Sequence, residues 1–178
     1  MASQRAVFLD RDGVIVVPEF RDGRSYAPKT LDKFKLYPDA KRNVERLMQS
    51  GFLVVVVTNQ PDVGAGLIPR STVETMHEQL MQELQVHAIK SCTHTRADNC
   101  TCRKPSPGML VEAANDLGID LAKSFMVGDR DSDVAAGKAA GCTTIFIDLG
   151  YTGEPSPVDP DYKVHDLTEA TNCILGQP

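Results

Sequence analysis

The stretch Ala6-Val-Phe-Leu-Asp10-Arg-Asp12-Gly13 joins an apolar run to two carboxylates separated by one residue, followed by a glycine. The run Arg5 to Leu9 reads as a buried strand. In open α/β sheets, ligands sit outside the carboxyl ends of the strands, so Asp10 and Asp12 are expected at the mouth of a site. Residues two apart on extended backbone point to one side. Two like charges held that close repel unless a cation or a shared proton relieves them. The chemistry implied is a Mg²⁺, a proton on one member, or both. A polar turn draws on the same residue types; what favours a site is that three later strand ends carry complementary groups.

The first of these follows Phe52-Leu-Val-Val-Val-Val57, an uncharged β-branched run of the parallel-sheet type. It ends in Thr58-Asn59-Gln60-Pro61, a polar rim without net charge, where the Thr58 hydroxyl can donate to a phosphate oxygen. The last follows Ser124 to Val127 and reads Gly128-Asp129-Arg130-Asp131-Ser-Asp133. Carboxylates from two strand ends can share one Mg²⁺, a hard cation that prefers oxygen. Asp131 and Asp133 would also suit the N-terminus of the next helix, and for Asp131 both readings stand.

Between them lies Cys92-Thr-His94, with Cys100-Thr-Cys102 close behind. Three thiols and an imidazole in one loop suit a closed tetrahedral Zn²⁺ site, although the one-residue gaps are tighter than common finger spacings. The competing reading is a reduced, exposed cysteine loop, but accessible thiols invite oxidation. Four protein ligands leave no open position, so the metal would brace the loop. Arg103-Lys104-Pro105 follows the last ligand directly, and fixed cations suit a transferring phosphoryl group.

The positioning elements alternate. A helix is expected from Tyr37 to Gly51, capped by Asp39, with Val44, Leu47 and Met48 inward. Ser71, with Glu74 at capping-box spacing, is expected to open a helix that buries Val73, Met76, Leu80 and Leu84. His77 and His87 read as structural or surface residues. A short strand from His87 to Ser91, a helix from Pro105 through Asp116, a helix through Ala140 and a strand from Cys142 to Ile147 follow. An edge strand at Tyr162 to Val164 and a helix capped by Asp166 close the series. Val14 to Val17 reads as a strand or a flap. Pro18 to Pro28 reads as a surface loop near the site, its Arg21 and Arg24 either solvated or touching an anionic substrate. Asp62 to Pro69 reads as a flexible loop that lacks the lysine of a P-loop. Alternating strands and helices imply an α/β fold, a Rossmann-like three-layer sandwich with a central parallel sheet.

The chain has 178 residues, enough for one domain with a real core. A net charge of −5 gives no sign of nucleic-acid binding. The longest apolar runs are too short to span a bilayer, and nothing at the N-terminus resembles a signal peptide, so a cytoplasmic location is expected. In that setting, clustered Cys and His indicate a metal rather than disulfides. Cys142 and Cys173 read as small buried hydrophobes.

Taken together, Asp10-Arg-Asp12-Gly-Val, Thr58-Asn59, Lys104-Pro105 and Gly128-Asp129-x-x-x-Asp133 resemble the four motifs of the haloacid dehalogenase-like phosphatases. The resemblance implies that Asp10 is a nucleophile forming an aspartyl-phosphate and that Asp12 is the general acid and then the base. It implies that Thr58 and Lys104 hold the phosphoryl group. Mg²⁺ would be bound by Asp10, the backbone carbonyl of Asp12, and Asp129, with Asp133 supporting the metal and Lys104. The Cys92, His94, Cys100, Cys102 loop looks like the zinc loop of the heptose bisphosphate phosphatases and the related histidinol-phosphate phosphatases, which have no large cap domain. Within that group Asn59, Gln60, Arg103, Arg130 and the segment Pro18, Glu19, Phe20, Arg21 are implied substrate contacts. The loop between His94 and Cys100 is shorter than usual there, Gly13-Val-Ile-Val16 replaces a more polar stretch, and Asp62-Val-Gly-Ala-Gly66 replaces a loop that commonly ends in Arg-Gly. A single domain over 1–178 is therefore expected, with the zinc loop at 92–102. It would be a Mg²⁺-dependent, monomeric phosphatase acting on a small phosphorylated metabolite. A bisphosphorylated heptose is the first choice, and histidinol phosphate or another small ester the second. A phosphotransferase, or a non-catalytic zinc-binding regulatory module on the same fold, are the alternatives.

Overall fold

The computed structural model describes residues 4–176. Strand β1 (Ala6–Leu9) is buried at every position and lies inside a six-stranded parallel sheet. A hairpin of β2 (Glu19–Arg21) and β3 (Arg24–Tyr26) comes next, then α1 (Ala40–Gln49), β4 (Leu53–Asn59), α2 (Pro61–Gly64), α3 (Arg70–Leu84) and β5 (Ala88–Cys92). The chain continues through α4 (Gly108–Leu117), β6 (Phe125–Gly128), α5 (Asp131–Ala140), β7 (Thr143–Ile147), β8 (Tyr162–Val164) and α6 (Leu167–Leu175). The sheet order is β5-β4-β1-β6-β7-β8. Successive strands are thus laid down on one side of β1 and then on the other, which makes β1 the point where strand order reverses. Such a point opens a crevice beyond the strand ends.

Period-two alternation sends the strand side chains to two cores. Val7, Leu9, Val54 and Val56 pack with Val44, Leu47, Met76, Leu80, Ala170 and Ile174 of α1, α3 and α6. Ala6, Phe8, Val55 and Val57 pack with Met109, Leu110, Ala113 and Ala136 of α4 and α5. With both faces covered, the strands can be apolar throughout, as the sequence suggests. The register pairs Leu9 with Val56 and with Val127, so β1 and β6 end within a residue of each other while β4 runs three residues further, to Asn59. Cys142 is buried, whereas Cys173 is half-buried at the rim of its core.

Several local expectations are corrected. Asp39 does not cap α1: its backbone is helical (φ −95°, ψ −4°), where capping requires an extended residue. Its carboxylate instead accepts from Asn43 at 3.2 Å and from the Thr168 hydroxyl at 2.7 Å, tying α1 to α6. Ser71 lies inside α3, because extended Pro69 occupies the cap position and the helix starts at Arg70. Asp166 does cap α6, accepting from the Glu169 amide at 2.8 Å. The segment expected as a surface loop contains a hairpin whose turn, Asp22-Gly23, has both residues in the left-handed region (φ 51° and 72°). Such a two-residue turn suits the natural twist of a hairpin. The Asp62 loop is partly helical, with Pro61 at the first turn of α2. Val14 to Val16 form neither a strand nor a flap. They are buried in a tight turn whose amides converge on the Arg11 carbonyl.

Candidate active site

Asp10 directly follows β1, Thr58 and Asn59 end β4, and Asp129 directly follows β6. Asp133 sits in the first turn of α5, and Lys104 lies on the segment between β5 and α4. Close approach depends on glycine at two points. A Cβ on Gly13 (φ 93°) would lie 2.2 Å from Asp129 Oδ2, and one on Gly128 would lie 2.1 Å from the Cβ of Asp133.

Lys104 is the hub. Its buried ammonium donates to Asp10 Oδ1 at 2.7 Å, to Asp133 Oδ1 at 2.6 Å and to the Val57 carbonyl at 2.8 Å, which uses all three of its protons. Burial works against its charge, but Asp10 and Asp133 outweigh burial and hold it protonated above the usual lysine range. Asn59 fixes the same residue from behind: its side chain accepts from the Lys104 amide at 3.1 Å and donates to the Lys104 carbonyl at 3.0 Å.

Asp10, Asp129 and Asp133 bring carboxylate oxygens within 4.8 Å of one another. Burial, then the charges of Asp10 and Asp133, push Asp129 well above the usual carboxylate range. Burial and Asp10 push Asp133 up to about 6, with Lys104 opposing. Asp129 Oδ2 accepts the Tyr151 hydroxyl, whereas its buried Oδ1 has no partner. Three buried carboxylates against one ammonium, with one orphaned oxygen, fit a hard divalent cation such as Mg²⁺.

Asp12 lines the same cleft as Asp10 but has partners of its own. The chain bends at Arg11, and the two carboxylates do not share one counter-charge. Asp12 Oδ1 and Oδ2 both accept from Arg11 Nε at 3.1 Å, and Oδ2 also accepts from Gln60 at 2.8 Å. Gln60 donates as well to the Thr58 hydroxyl at 2.9 Å. Arg11 is wholly buried, lies over the Phe34 ring at 5.4 Å and donates to His77 Nε2 at 3.2 Å. Nothing in the spacing of Asp10-Arg-Asp12 distinguished Arg11 from a solvated charge. Its role appears only once the turn is folded over it.

The cysteine loop closes on itself. Thr95 and Asp98 form a reciprocal capping box around a single helical turn, Arg96–Asp98, and Asn99 reverses the chain in the left-handed region (φ 47°). This returns Cys100 and Cys102 to Cys92 and His94. The Cys92 sulfur lies 3.6 Å from that of Cys100 and 3.2 Å from that of Cys102, and His94 Nδ1 lies 3.3 Å from Cys102. These separations are too long for a disulfide of ~2.05 Å. They approach the ~3.8 Å edge of a tetrahedron with Zn–S bonds of about 2.3 Å. The four side chains therefore fit one Zn²⁺.

A cleft of about 780 Å³ opens over the acidic cluster, with Arg24, Arg103, Lys104 and Arg130 among its walls. Asn59 and Gln60 also line it. Arg103 donates to the His94 carbonyl at 3.2 Å, and Arg130 to the Ser25 hydroxyl at 2.7 Å. Asp131 reaches the cleft too, while its Oδ1 accepts from the Ser132 amide at 2.8 Å. Of the first hairpin, residues 24–27 line the cleft, whereas Pro18, Glu19, Phe20 and Arg21 are not among its lining residues, although Glu19, Phe20 and Arg21 pair directly with Tyr26, Ser25 and Arg24. Phe20 stacks on Tyr151, and Arg21 lies 4.5 Å over the Tyr26 ring. Tyr151, unremarked in a proline-rich stretch of the sequence, is brought to Asp129 only by the fold.

The sequence matches the HAD-hydrolase-like family over residues 101–170. It is 35% identical to the D-glycero-beta-D-manno-heptose-1,7-bisphosphate 7-phosphatase of Pseudomonas aeruginosa, covering 97% of this chain and 99% of that protein. It is 34% identical to the histidine biosynthesis bifunctional protein HisB of Campylobacter jejuni, covering 74% of this chain and 38% of that longer protein. Among solved structures, the D,D-heptose 1,7-bisphosphate phosphatase of Bordetella bronchiseptica, complexed with magnesium and phosphate, superposes with a TM-score of 0.81. That match is at 29% identity and covers 98% of this chain and all of that one.

Proposed function

The chain belongs to the haloacid dehalogenase-like phosphatases, in the family of the heptose bisphosphate 7-phosphatases, and on that premise we propose that it removes the 7-phosphate of D-glycero-D-manno-heptose 1,7-bisphosphate through an aspartyl-phosphate. The observation that carries the reading is the Lys104 ammonium clamped between Asp10 and Asp133 at the floor of a cleft with arginine walls.

In this reading an Asp10 oxygen bonds to phosphorus as the ester oxygen leaves, and Asp12 gives that oxygen its proton. Water then attacks the aspartyl-phosphate, Asp12 takes the proton, and inorganic phosphate departs with Asp10 regenerated. Splitting one displacement into two lowers each barrier. Thr58 donates to a phosphoryl oxygen, and Lys104 holds the phosphoryl group by its positive charge beside Asp10. Lys104 also aims Asp10 through the 2.7 Å contact to its Oδ1. Mg²⁺ would be held by Asp10, Asp129 and the Asp12 carbonyl, with Asp133 in support, and would supply charge neutralisation between anionic nucleophile and anionic phosphate. Zn²⁺ would be held by Cys92, His94, Cys100 and Cys102 and would brace the loop that delivers Arg103 and Lys104. The second phosphate of a bisphosphate suits Arg103 and Arg130, which line the same cleft as Asp10.

The reading is of a single domain acting as a cytoplasmic monomer on a small phosphorylated metabolite. An overall charge of −5 supports a partner other than nucleic acid. Among the described residues, no helix is long and apolar enough to cross a membrane. Histidinol phosphate is the second candidate substrate, supported by the HisB match.

The test is phosphate release with Mg²⁺ from both anomers of the heptose bisphosphate, histidinol phosphate and an aryl phosphate. The highest kcat/KM is expected on the heptose bisphosphate, each tenfold preference corresponding to ~1.4 kcal/mol. A higher kcat/KM on histidinol phosphate would move the assignment to the second candidate. Asp10→Asn is expected to keep the fold and zinc while abolishing turnover on every ester. Turnover in that variant would remove the nucleophile assignment.

A further inference from the structure

Asp129 uses its two oxygens unequally. Oδ2 accepts the Tyr151 hydroxyl, and Oδ1, equally buried, has no partner. Leaving a buried carboxylate oxygen unsatisfied is costly, so the arrangement is economical only if a cation takes Oδ1. The donor that fixes which oxygen is left over does not come from the strands that frame the acidic cluster. It comes from the loop after β7.

That loop has a second attachment. The Tyr151 ring stacks on Phe20 of β2, with centroids 5.6 Å apart and planes inclined by 27°. The Gly153 amide donates to the Gly23 carbonyl at 2.9 Å. A Cβ on Gly23 would lie 2.3 Å from Thr152 Oγ1, so the hairpin turn is seated directly on the loop. Glu154 lies 3.5 Å from Arg130, whose guanidinium donates to Ser25 of β3. One short run, 151–154, therefore grips the buried carboxylate at one end and the β2–β3 hairpin at the other. Residues 24–26 of that hairpin are a wall of the substrate cleft.

We propose that Tyr151 is a positioning residue that sets Asp129 for Mg²⁺ and, through its stack on Phe20, couples occupancy of that site to the order of the hairpin wall. The proposal rests on the Mg²⁺ reading of the Asp10, Asp129 and Asp133 cluster. A hydrogen bond to the outer oxygen of a ligating carboxylate orients the inner one, and such outer partners typically change metal affinity by about 10–100-fold. Coupling of this kind is reciprocal: a metal that steadies Tyr151 steadies the hairpin, and a steadied hairpin tightens the metal.

The experiment is calorimetric titration of the zinc-replete full chain with Mg²⁺, together with amide hydrogen exchange of residues 19–26 with and without Mg²⁺. Tyr151→Phe keeps the ring and its stack and removes only the hydroxyl. It is expected to weaken Mg²⁺ binding by about 10–100-fold at unchanged zinc content. Phe20→Ala is expected to weaken it by a smaller factor, with the Tyr151 hydroxyl still in place. In the wild type, Mg²⁺ is expected to slow exchange across the hairpin, and Phe20→Ala is expected to abolish that slowing at saturating Mg²⁺. Wild-type Mg²⁺ affinity in Tyr151→Phe would overturn the positioning role, and hairpin exchange indifferent to Mg²⁺ in the wild type would overturn the coupling. Asp129→Asn separates the two levels: if it binds Mg²⁺ as the wild type does, the metal reading itself fails and the proposal falls with it.

Discussion

His77 shows how a single side chain reports on the buried charges beneath it. Burial first, and the Arg11 guanidinium second, lower its imidazole to about 4 from an ordinary 6.5. The folded protein therefore binds fewer protons than the unfolded chain between those values. The sign follows: the neutral ring's full contribution is present above pH 6.5 and is lost as the pH falls towards about 4. Chemical denaturation at pH 7 and again near pH 5 is expected to show a larger loss for the wild type than for His77→Gln. The difference should reach up to ~2 kcal/mol. Equal losses in the two proteins would mean that His77 is protonated in the fold, contrary to its acceptance of a hydrogen bond from Arg11. Asp12 and Arg11 depend on each other in the same way. Each occupies a position where an unpaired charge would be costly, so removing either partner alone leaves the other stranded.

At the scale of elements, two devices hold the site in register. The zinc loop is one. Its ligands bracket the turn Arg96–Asp98, and the chain passes from Cys102 to Lys104 within two residues. Cys100→Ser is expected to lose zinc on metal analysis, to speed hydrogen exchange over 92–106 and to lower turnover, because Lys104 loses its brace. Full zinc content in that variant would contradict the four-ligand assignment. The tie between α1 and α6 is the other. Since Asp39 bonds the Thr168 hydroxyl and is not a cap, Asp39→Ala and Thr168→Ala are expected to be coupled by about 1 kcal/mol in a double-mutant cycle. Additive costs would favour a local capping role instead. The hairpin belongs to this scale as well. Its Asp22-Gly23 turn is a hairpin signal, but three-residue strands rich in arginine and glutamate carry no apolar alternation by which to recognise them.

For the molecule as a whole, the sheet order makes the enzyme. Strands laid to either side of β1 converge three carboxylates, a hydroxyl and a lysine from segments more than a hundred residues apart. Both faces of the sheet are closed by helices, so the chemistry is confined to the carboxyl ends of its central strands. The apolar strands, the acidic strand ends and the clustered Cys and His were legible in the sequence. Burial demands uninterrupted apolar strands in a covered parallel sheet, and functional groups must then gather where those strands stop. Most partners of those groups were not legible. The support of Lys104 by Asp133 followed from the family resemblance. That Lys104 also pairs with Asp10, that Arg11 and Gln60 take Asp12, and that Tyr151 reaches Asp129 all depend on loop paths without periodicity, and residue type does not encode a loop's path. By itself the sequence determined which chemistry this chain carries. The tertiary structure decided which cation neutralises which carboxylate and which oxygen remains free, because those choices depend on distances between segments remote along the chain.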